Sequence, residues 1–373
     1  MTKSCAMKFV GSYLSAERLG CTTKPILVRS FWYNPFMSHT FLCVHLTLFV
    51  VTVLASCATD SQEPHNSPVT SSPSVSPSQT IFYLDGTALA YGVFETEATS
   101  VVVDVSNTMP NALQPSGDVS IDDGTGVRTY QVKGGESAVS HSMPPGLKRV
   151  RITAGGQLKY HNEIRGVFIT KITFDRPAVR MQLRPPHVVI YGDSITIGGN
   201  VDHPSAEAWP VLLRAHFSVI VDAYSYRTLY DDANTDVTRS AFAAKVSKWS
   251  PEYVWLAIGT NDYAFAQWSA EEFGAAYAAT LDALHSSNPQ ALLFAQTPIL
   301  RTVESENSLG DTLEDYRQQI FDACSSRSPW CVFVDGKAPG FPQLDELDKD
   351  GIHLTAASSV KYMETALQIL TNR

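Results

Sequence analysis

The sequence predicts two folded parts in series, an all-β sandwich and then an α/β domain built on a parallel sheet. Three observations predict it. Short alternating apolar and polar runs fill about Thr80 to Val179, with turn residues such as Asp122-Asp123-Gly124 and Pro144-Pro145-Gly146 between them. After Pro185-Pro186 the texture changes to buried-strand runs alternating with helical patterns. Finally, Ser194, the stretch near Tyr226 and Asn261 all fall just beyond expected strand ends, where ligands bind in open parallel sheets. At 373 residues, 44% hydrophobic and 10% aromatic, the chain is long enough to bury two cores.

Phe41 to Ala55 is apolar apart from His45 and two threonines, shorter than a usual membrane span, and reads as an export signal that ends in Leu54-Ala55-Ser56-Cys57. That ending resembles the lipobox of bacterial lipoproteins, which implies Cys57 as the lipid-modified first residue of an exported, envelope-tethered chain. Between Met37 and Phe41 there is no Lys or Arg, so translation from Met37 and an uncleaved anchor both stand as readings. Residues 1–57 are thus the export segment. The Ser-, Pro- and Thr-rich stretch 58–79 cannot bury enough apolar surface to offset chain entropy and is a linker.

Residues 80–183 form the sandwich. Its strands are expected at Ile81-Phe82-Tyr83, Ser100 to Val105, Val119 to Ile121, Thr129 to Val132, Arg149 to Thr153, Val167 to Thr170 and Ile172 to Phe174. Residues 184–373 form the α/β domain. Strands are expected at Val188 to Tyr191, Ser218 to Val221, Tyr253 to Ile258, Ala291 to Ala295 and Val332 to Val334. Helices are expected over Ala206 to His216, Val237 to Lys248, Ala270 to Ser286, Leu313 to Ser325 and Ala356 to Leu370.

The net charge of −9 argues against nucleic acid or anionic lipid as partners held by bulk electrostatics, and leaves a neutral or polymeric substrate. Metal-ligand spacings such as paired cysteines or His-x-x-x-His are absent, so no cofactor and no metal is expected. The acidic run Asp345-Glu346-Leu347-Asp348 reads as solvated rather than as a calcium site. Past Cys57 two cysteines remain, Cys324 and Cys331; they either close a small loop or pack as free thiols, because spacing cannot prove pairing. The chain is expected to be a monomer.

Three segments carry chemistry. Tyr191-Gly192-Asp193-Ser194 follows the apolar run Val188-Val189-Ile190 and comes shortly before a helical pattern, which places Ser194 on a tight strand-to-helix turn. A serine hydroxyl is a poor nucleophile near neutral pH and needs an imidazole to take its proton, a role His353 can fill. A carboxylate on the second ring nitrogen would fix the tautomer and stabilise the imidazolium. Asp350, three residues upstream, is placed for it, with Asp348 as competitor. The amide of Asn261, in Gly259-Thr260-Asn261-Asp262, can donate to a developing oxyanion.

Gly192-Asp193-Ser194, Gly259-Thr260-Asn261-Asp262 and Asp350-Gly351-Ile352-His353, in that order, resemble the blocks of the SGNH (GDSL-like) hydrolases over roughly Val188 to the C-terminus. The resemblance implies a flavodoxin-like three-layer α/β fold and a triad of Ser194, His353 and Asp350. It also implies an oxyanion hole from Ser194 N–H, the Asn261 amide and a backbone N–H near Tyr226. The family pattern has a glycine where this chain has Tyr226, which puts the third donor in question, since a tyrosine does not freely adopt the dihedrals of glycine.

A sandwich placed before such a domain, with Gly92-Val93-Phe94-Glu95, Val119 to Gly124 and Arg165-Gly166-Val167-Phe168, is similar to carbohydrate esterase family 2. That likeness implies a jelly-roll-like sandwich and removal of O-acetyl groups from xylan- or mannan-type carbohydrates. Tyr263 and Trp268, with Phe265 between them, are candidate sugar-stacking rings, the alternative being that they are core. Two other readings stay open: the same mechanism on lipid, thioester or aryl ester substrates, and a non-catalytic carbohydrate-binding surface protein.

Overall fold

The computed structural model describes residues 89–108, 117–155, 157–160, 163–182 and 187–373. The export segment, Cys57, the linker, the strand expected at Ile81-Phe82-Tyr83 and the Pro185-Pro186 boundary lie outside these residues.

Two antiparallel sheets come first in the chain. One has β1 (Tyr91–Thr96), β3 (Gly117–Asp122), β4 (Val127–Val132), β6 (Lys148–Gly155) and β9 (Ala178–Arg180), in the order β4-β3-β6-β1-β9. The other has β2 (Ser100–Asn107), β5 (Gly135–Ser142), β7 (Gln157–Tyr160) and β8 (Glu163–Phe174), in the order β5-β2-β8-β7. Alternation decides which side chains meet: Val101, Val103 and Val105 from β2 pack into one core with Val119 and Ile121 from β3 and Val150 and Ile152 from β6.

The two runs expected at Val167 to Thr170 and Ile172 to Phe174 are a single strand, β8. Asp104 pairs with Lys171 and Val105 with Ile169, so Thr170 is an extra residue opposite a continuous partner. This bulge shifts the phase of alternation, which lets Val167, Ile169, Ile172 and Phe174 all face the core. Strand β5 escaped the sequence reading because its only buried side chains are Val139 and His141.

The remainder of the chain is a five-stranded parallel sheet of β10 (His187–Gly192), β11 (Ser218–Ala223), β12 (Tyr253–Ala257), β13 (Leu292–Gln296) and β14 (Cys331–Val334), in the order β11-β10-β12-β13-β14. Val189, Tyr191, Val254 and Leu256 face one layer of helices, and Val188, Ile190 and Trp255 face the other. On the first side lie α3 (Leu229–Ala233), α4 (Asp236–Ser247), α6 (Ala270–Ser287) and α7 (Leu313–Ser325). On the second lie α2 (Trp209–Leu213) and α8 (Ala356–Thr371).

Capping residues fix several helix starts. Thr235, Ser269, Thr312 and Thr355 each accept from the N3 backbone N–H while the N3 side chain reaches back, an arrangement worth about 1 kcal/mol per cap. The single helix expected over Ala206 to His216 is instead two, α1 (Pro204–Glu207) and α2, with Ala208 extended at ψ 136° between them. Pro210 explains the break, since its ring clashes with the carbonyl four residues back.

The chain runs from β10 to β11 on one side and then to β12 on the other, so the strand order reverses at β10. A crevice therefore opens at the carboxyl ends of β10 and β12. The antiparallel sheets reach the segment that follows. Asp118 of β3 accepts from Ser205 N at 3.2 Å and Ser205 Oγ at 2.9 Å, and Ser120 Oγ donates to Ser205 O at 2.7 Å.

Candidate active site

Strand β10 ends at Gly192, and Ser194 to Asn200 form successive turns rather than opening a helix. Asp193, buried beneath, accepts from Ile195 N at 2.9 Å and so tightens the turn. Burial pushes its carboxyl up to about 6 against that hydrogen bond and the pull of His353. Ser194 is 8% exposed.

His353 arrives from the loop before α8, and its Nε2 lies 2.8 Å from Ser194 Oγ. Its Nδ1 lies 2.6 Å from Asp350 Oδ2. Asp350 Oδ1 accepts the backbone N–H groups of Ile352 at 2.9 Å and His353 at 3.0 Å, so the loop holds its own carboxylate in place. Burial would raise this carboxyl, but the His353 backbone N–H, its ring and the Ile352 N–H outweigh burial and hold it at about 2.

Asp348 does not face the ring. It accepts instead from Asn200 Nδ2 at 2.8 Å, and the same amide donates to Asp350 Oδ2 at 2.8 Å. Asn200 is a residue the sequence reading missed; nothing in its local sequence signals that one amide will bridge two carboxylates on a distant loop. Gly199, beside it, is needed for space, since a Cβ there would stand 2.9 Å from His353 Cδ2 and 3.1 Å from Ser194 O.

Strand β12 leads through Gly259, at φ +125°, into α5 (Thr260–Phe265), a helix the sequence reading did not expect. Asn261 lies in its first turn, and its amide donates to Arg227 O at 3.0 Å. Asp262 turns the other way, accepting from Leu229 N at 2.8 Å and Tyr230 N at 3.3 Å, which ties α5 to the start of α3. Burial pushes this carboxyl up to about 7 despite those donors.

Tyr226 does adopt the backbone that glycine would supply, at φ +66°, with its ring 58% exposed. Its neighbour accounts for this. The Arg227 guanidinium is buried between Asp222 at 3.0 Å and Asp232 at 2.8 Å, and lies over the Tyr191 ring at 3.9 Å. A buried cation with two carboxylates and an aromatic face is fixed in position, and the backbone on either side of it is fixed with it.

The candidate sugar-stacking rings differ in burial. Tyr263 is 4% exposed in the core under α6, and its hydroxyl donates to Ser305 O. Trp268 is half-buried against the same core, with the Tyr230 ring edge-on at 4.8 Å. In α5 the side chains at Tyr263 and Phe265 point to different sides, and the helix turns Phe265 outward, 48% exposed and 6.4 Å from the Tyr226 ring. Cys324 and Cys331 are joined in a disulfide with Cα atoms 5.5 Å apart, resolving the alternative left open by spacing.

The turn bearing Ser194 and the loop bearing Asp350 and His353 thus meet through hydrogen bonds. Residues 190–359 match the model of the GDSL-like lipase/acylhydrolase family. The chain therefore carries a GDSL-like lipase/acylhydrolase domain that contains Ser194, Asn261 and His353. No curated protein matches the sequence.

Among solved structures, the salicylyl-acyltransferase SsfX3 from a tetracycline biosynthetic pathway is similar with a TM-score of 0.60 at 15% identity, covering 76% of this chain and 82% of its own. A carbohydrate esterase family 2 enzyme with a carbohydrate-binding domain from Corynascus thermopiles (Myceliophthora fergusii) gives 0.58 at 18%, covering 79% and 99%. The acetyl xylan esterase Est2A from the rumen bacterium Butyrivibrio proteoclasticus gives 0.57 at 14%, covering 79% and 96%. At these identities the likeness is one of fold, and its coverage reaches beyond the GDSL-like segment into the antiparallel sheets.

Proposed function

We propose that this chain is a serine esterase that removes O-acetyl groups from carbohydrates of the acetylated xylan or mannan type, working as an exported monomer. The observation that carries the reading is the relay from Asp350 Oδ2 through the His353 ring to Ser194 Oγ, at 2.6 and 2.8 Å. In it, Ser194 Oγ attacks the ester carbonyl carbon while His353 Nε2 takes the hydroxyl proton. The oxyanion is met by Ser194 N–H, Tyr226 N–H and the Asn261 amide, and Asp350 stabilises the imidazolium. Collapse breaks the bond to the sugar oxygen, which takes the proton from His353, and leaves an acetyl group on Ser194. Water, deprotonated by His353, then attacks that ester; collapse breaks the bond to Ser194 Oγ, which takes the proton back from His353, and acetate leaves.

The fold shared with family 2 carbohydrate esterases favours a carbohydrate as the alcohol, with the antiparallel sheets read as a jelly-roll-like sandwich. The exposed pair Tyr226 and Phe265, rather than Tyr263 and Trp268, is suited to stack on a sugar ring. The Cys324–Cys331 bond suits an oxidising compartment, in line with the export signal and a lipid tether at Cys57.

The test is acetate release from acetylated xylan and mannan beside hydrolysis of long-chain acyl esters and thioesters. Activity on the polysaccharides that Ser194→Ala lowers by on the order of 10⁶-fold supports the reading. Preference for long-chain esters moves the substrate to lipid. Polysaccharide binding with no Ser194-dependent hydrolysis of any ester would leave only a binding protein.

A further inference from the structure

A cavity of about 210 Å³ lies between the outer face of β1 and β6 and the α/β domain, where Arg214 and Phe217 precede β11. Among the described residues its walls include Arg149, Arg151 and Arg214 and no Asp or Glu, on a chain whose net charge is −9. The strand period puts the first two there: Val150 and Ile152 point into the core of the antiparallel sheets, so Arg149 and Arg151 point out of it on the same side.

Arg214 is 5% exposed. Its Nη2 donates to Leu89 O at 2.6 Å and its guanidinium lies over the Tyr91 ring at 3.8 Å. Its Nε and Nη1, however, are buried with no partner, and so is Arg151 Nε. Among the described residues no carboxylate pairs with any of the three arginines. Burial, countered by Tyr91 and reinforced by Arg151, lowers Arg214 to about 10, which still leaves it charged at neutral pH.

Buried charge is ordinarily paired, and buried N–H groups are ordinarily satisfied. The contrast with Arg227 is direct, since that equally buried guanidinium holds two carboxylates. Guanidinium groups present planar forks that match an oxyanion, and two such groups with unused N–H donors at one cavity supply both charge and geometry.

We propose that this cavity binds an oxyanion group, held between Arg151 and Arg214 with Arg149 at the mouth. Its source is either a free inorganic anion or the carboxylate of a uronic acid sugar. Isothermal titration of the full chain with sodium phosphate and, separately, sodium glucuronate, at an ionic strength fixed by sodium chloride, distinguishes the two. Saturable one-site binding is expected for at least one of them, weakened by about tenfold or more in Arg149→Gln and in Arg151→Gln. Tighter phosphate assigns an inorganic anion, and tighter glucuronate an acidic sugar. Neither variant touches Ser194 or its partners, so unchanged hydrolysis of a small acetyl ester reports that each is folded. No saturable binding of either compound into the tens of millimolar, or binding that survives both substitutions in folded protein, overturns the proposal.

Discussion

The side-chain amide of Asn261 donates to the carbonyl of Arg227 at 3.0 Å, which joins the first turn of α5 to the loop where Tyr226 stands at φ +66°. One proposed oxyanion donor is therefore tied to the residue next to another. Arg227, locked by Asp222 and Asp232, is the anchor beneath both.

A tyrosine in the left-handed region costs about 1–2 kcal/mol, while glycine there loses more chain entropy on folding. Tyr226→Gly should therefore leave stability within about 1 kcal/mol, measured by denaturant unfolding. Its kcat on a small acetyl ester should change less than about threefold, because the proposed donor is backbone. Its KM on a polysaccharide should rise with loss of the exposed ring. A large fall in kcat on the small ester would show that the tyrosine side chain itself takes part.

Asn261→Ala removes both an oxyanion donor and the bond to Arg227. Loss of one such donor costs about 2.7–4 kcal/mol in the barrier. A fall in kcat of about 10²–10³-fold is expected, with KM for a small ester little changed. Equal losses in binding and turnover would instead point to collapse of the loop.

The geometry separates the two candidate acids. Asp350→Asn should lower kcat by on the order of 10⁴-fold, as loss of the carboxylate that orients a catalytic imidazole does. Asp348→Asn leaves the His353 contact in place and should stay within a few-fold of the parent. Steady-state kinetics of the pair at neutral pH decides between them. Because Asp350 is held at about 2, acidification to pH 4 should not discharge it, and the acid limb of the activity profile should belong to another group.

Asp118 gives a stability test. Burial raises its carboxyl to about 6, against the hydrogen bonds from Ser205 and the nearby His203. A raised folded pKa means the folded state holds the proton longer than the unfolded state, whose aspartate titrates near 3.9. Its contribution is therefore full below about pH 4 and lost as pH rises through about 6. Asp118→Asn, which cannot titrate, should gain stability relative to the parent over that window, read as the difference of their unfolding curves at pH 4 and pH 7. A difference independent of pH would show that folding does not raise the Asp118 carboxyl.

Much of this architecture follows from the order of residues alone. Short apolar runs give the buried strands and period-3.6 patterns give helices, so the five parallel strands, α4, α6, α7 and α8 lie within a residue or two of where their patterns place them. That Ser194, Asp350 and His353 meet was legible because chemistry restricts which residue types can fill the roles proposed for them, and because Asp350 and His353 share one short loop. What the sequence could not reveal depends on contacts between segments far apart in the chain. Asn200 reaches Asp350 across 150 positions, and Arg227 holds a tyrosine where glycine was expected. Tyr263 faces the core from α5, a helix that no pattern after Gly259 announced. The disulfide, the bulge at Thr170 and the arginines gathered at the seam belong to the same class. Local pattern reports which way a side chain faces along its own element, but packing between elements decides what it meets there.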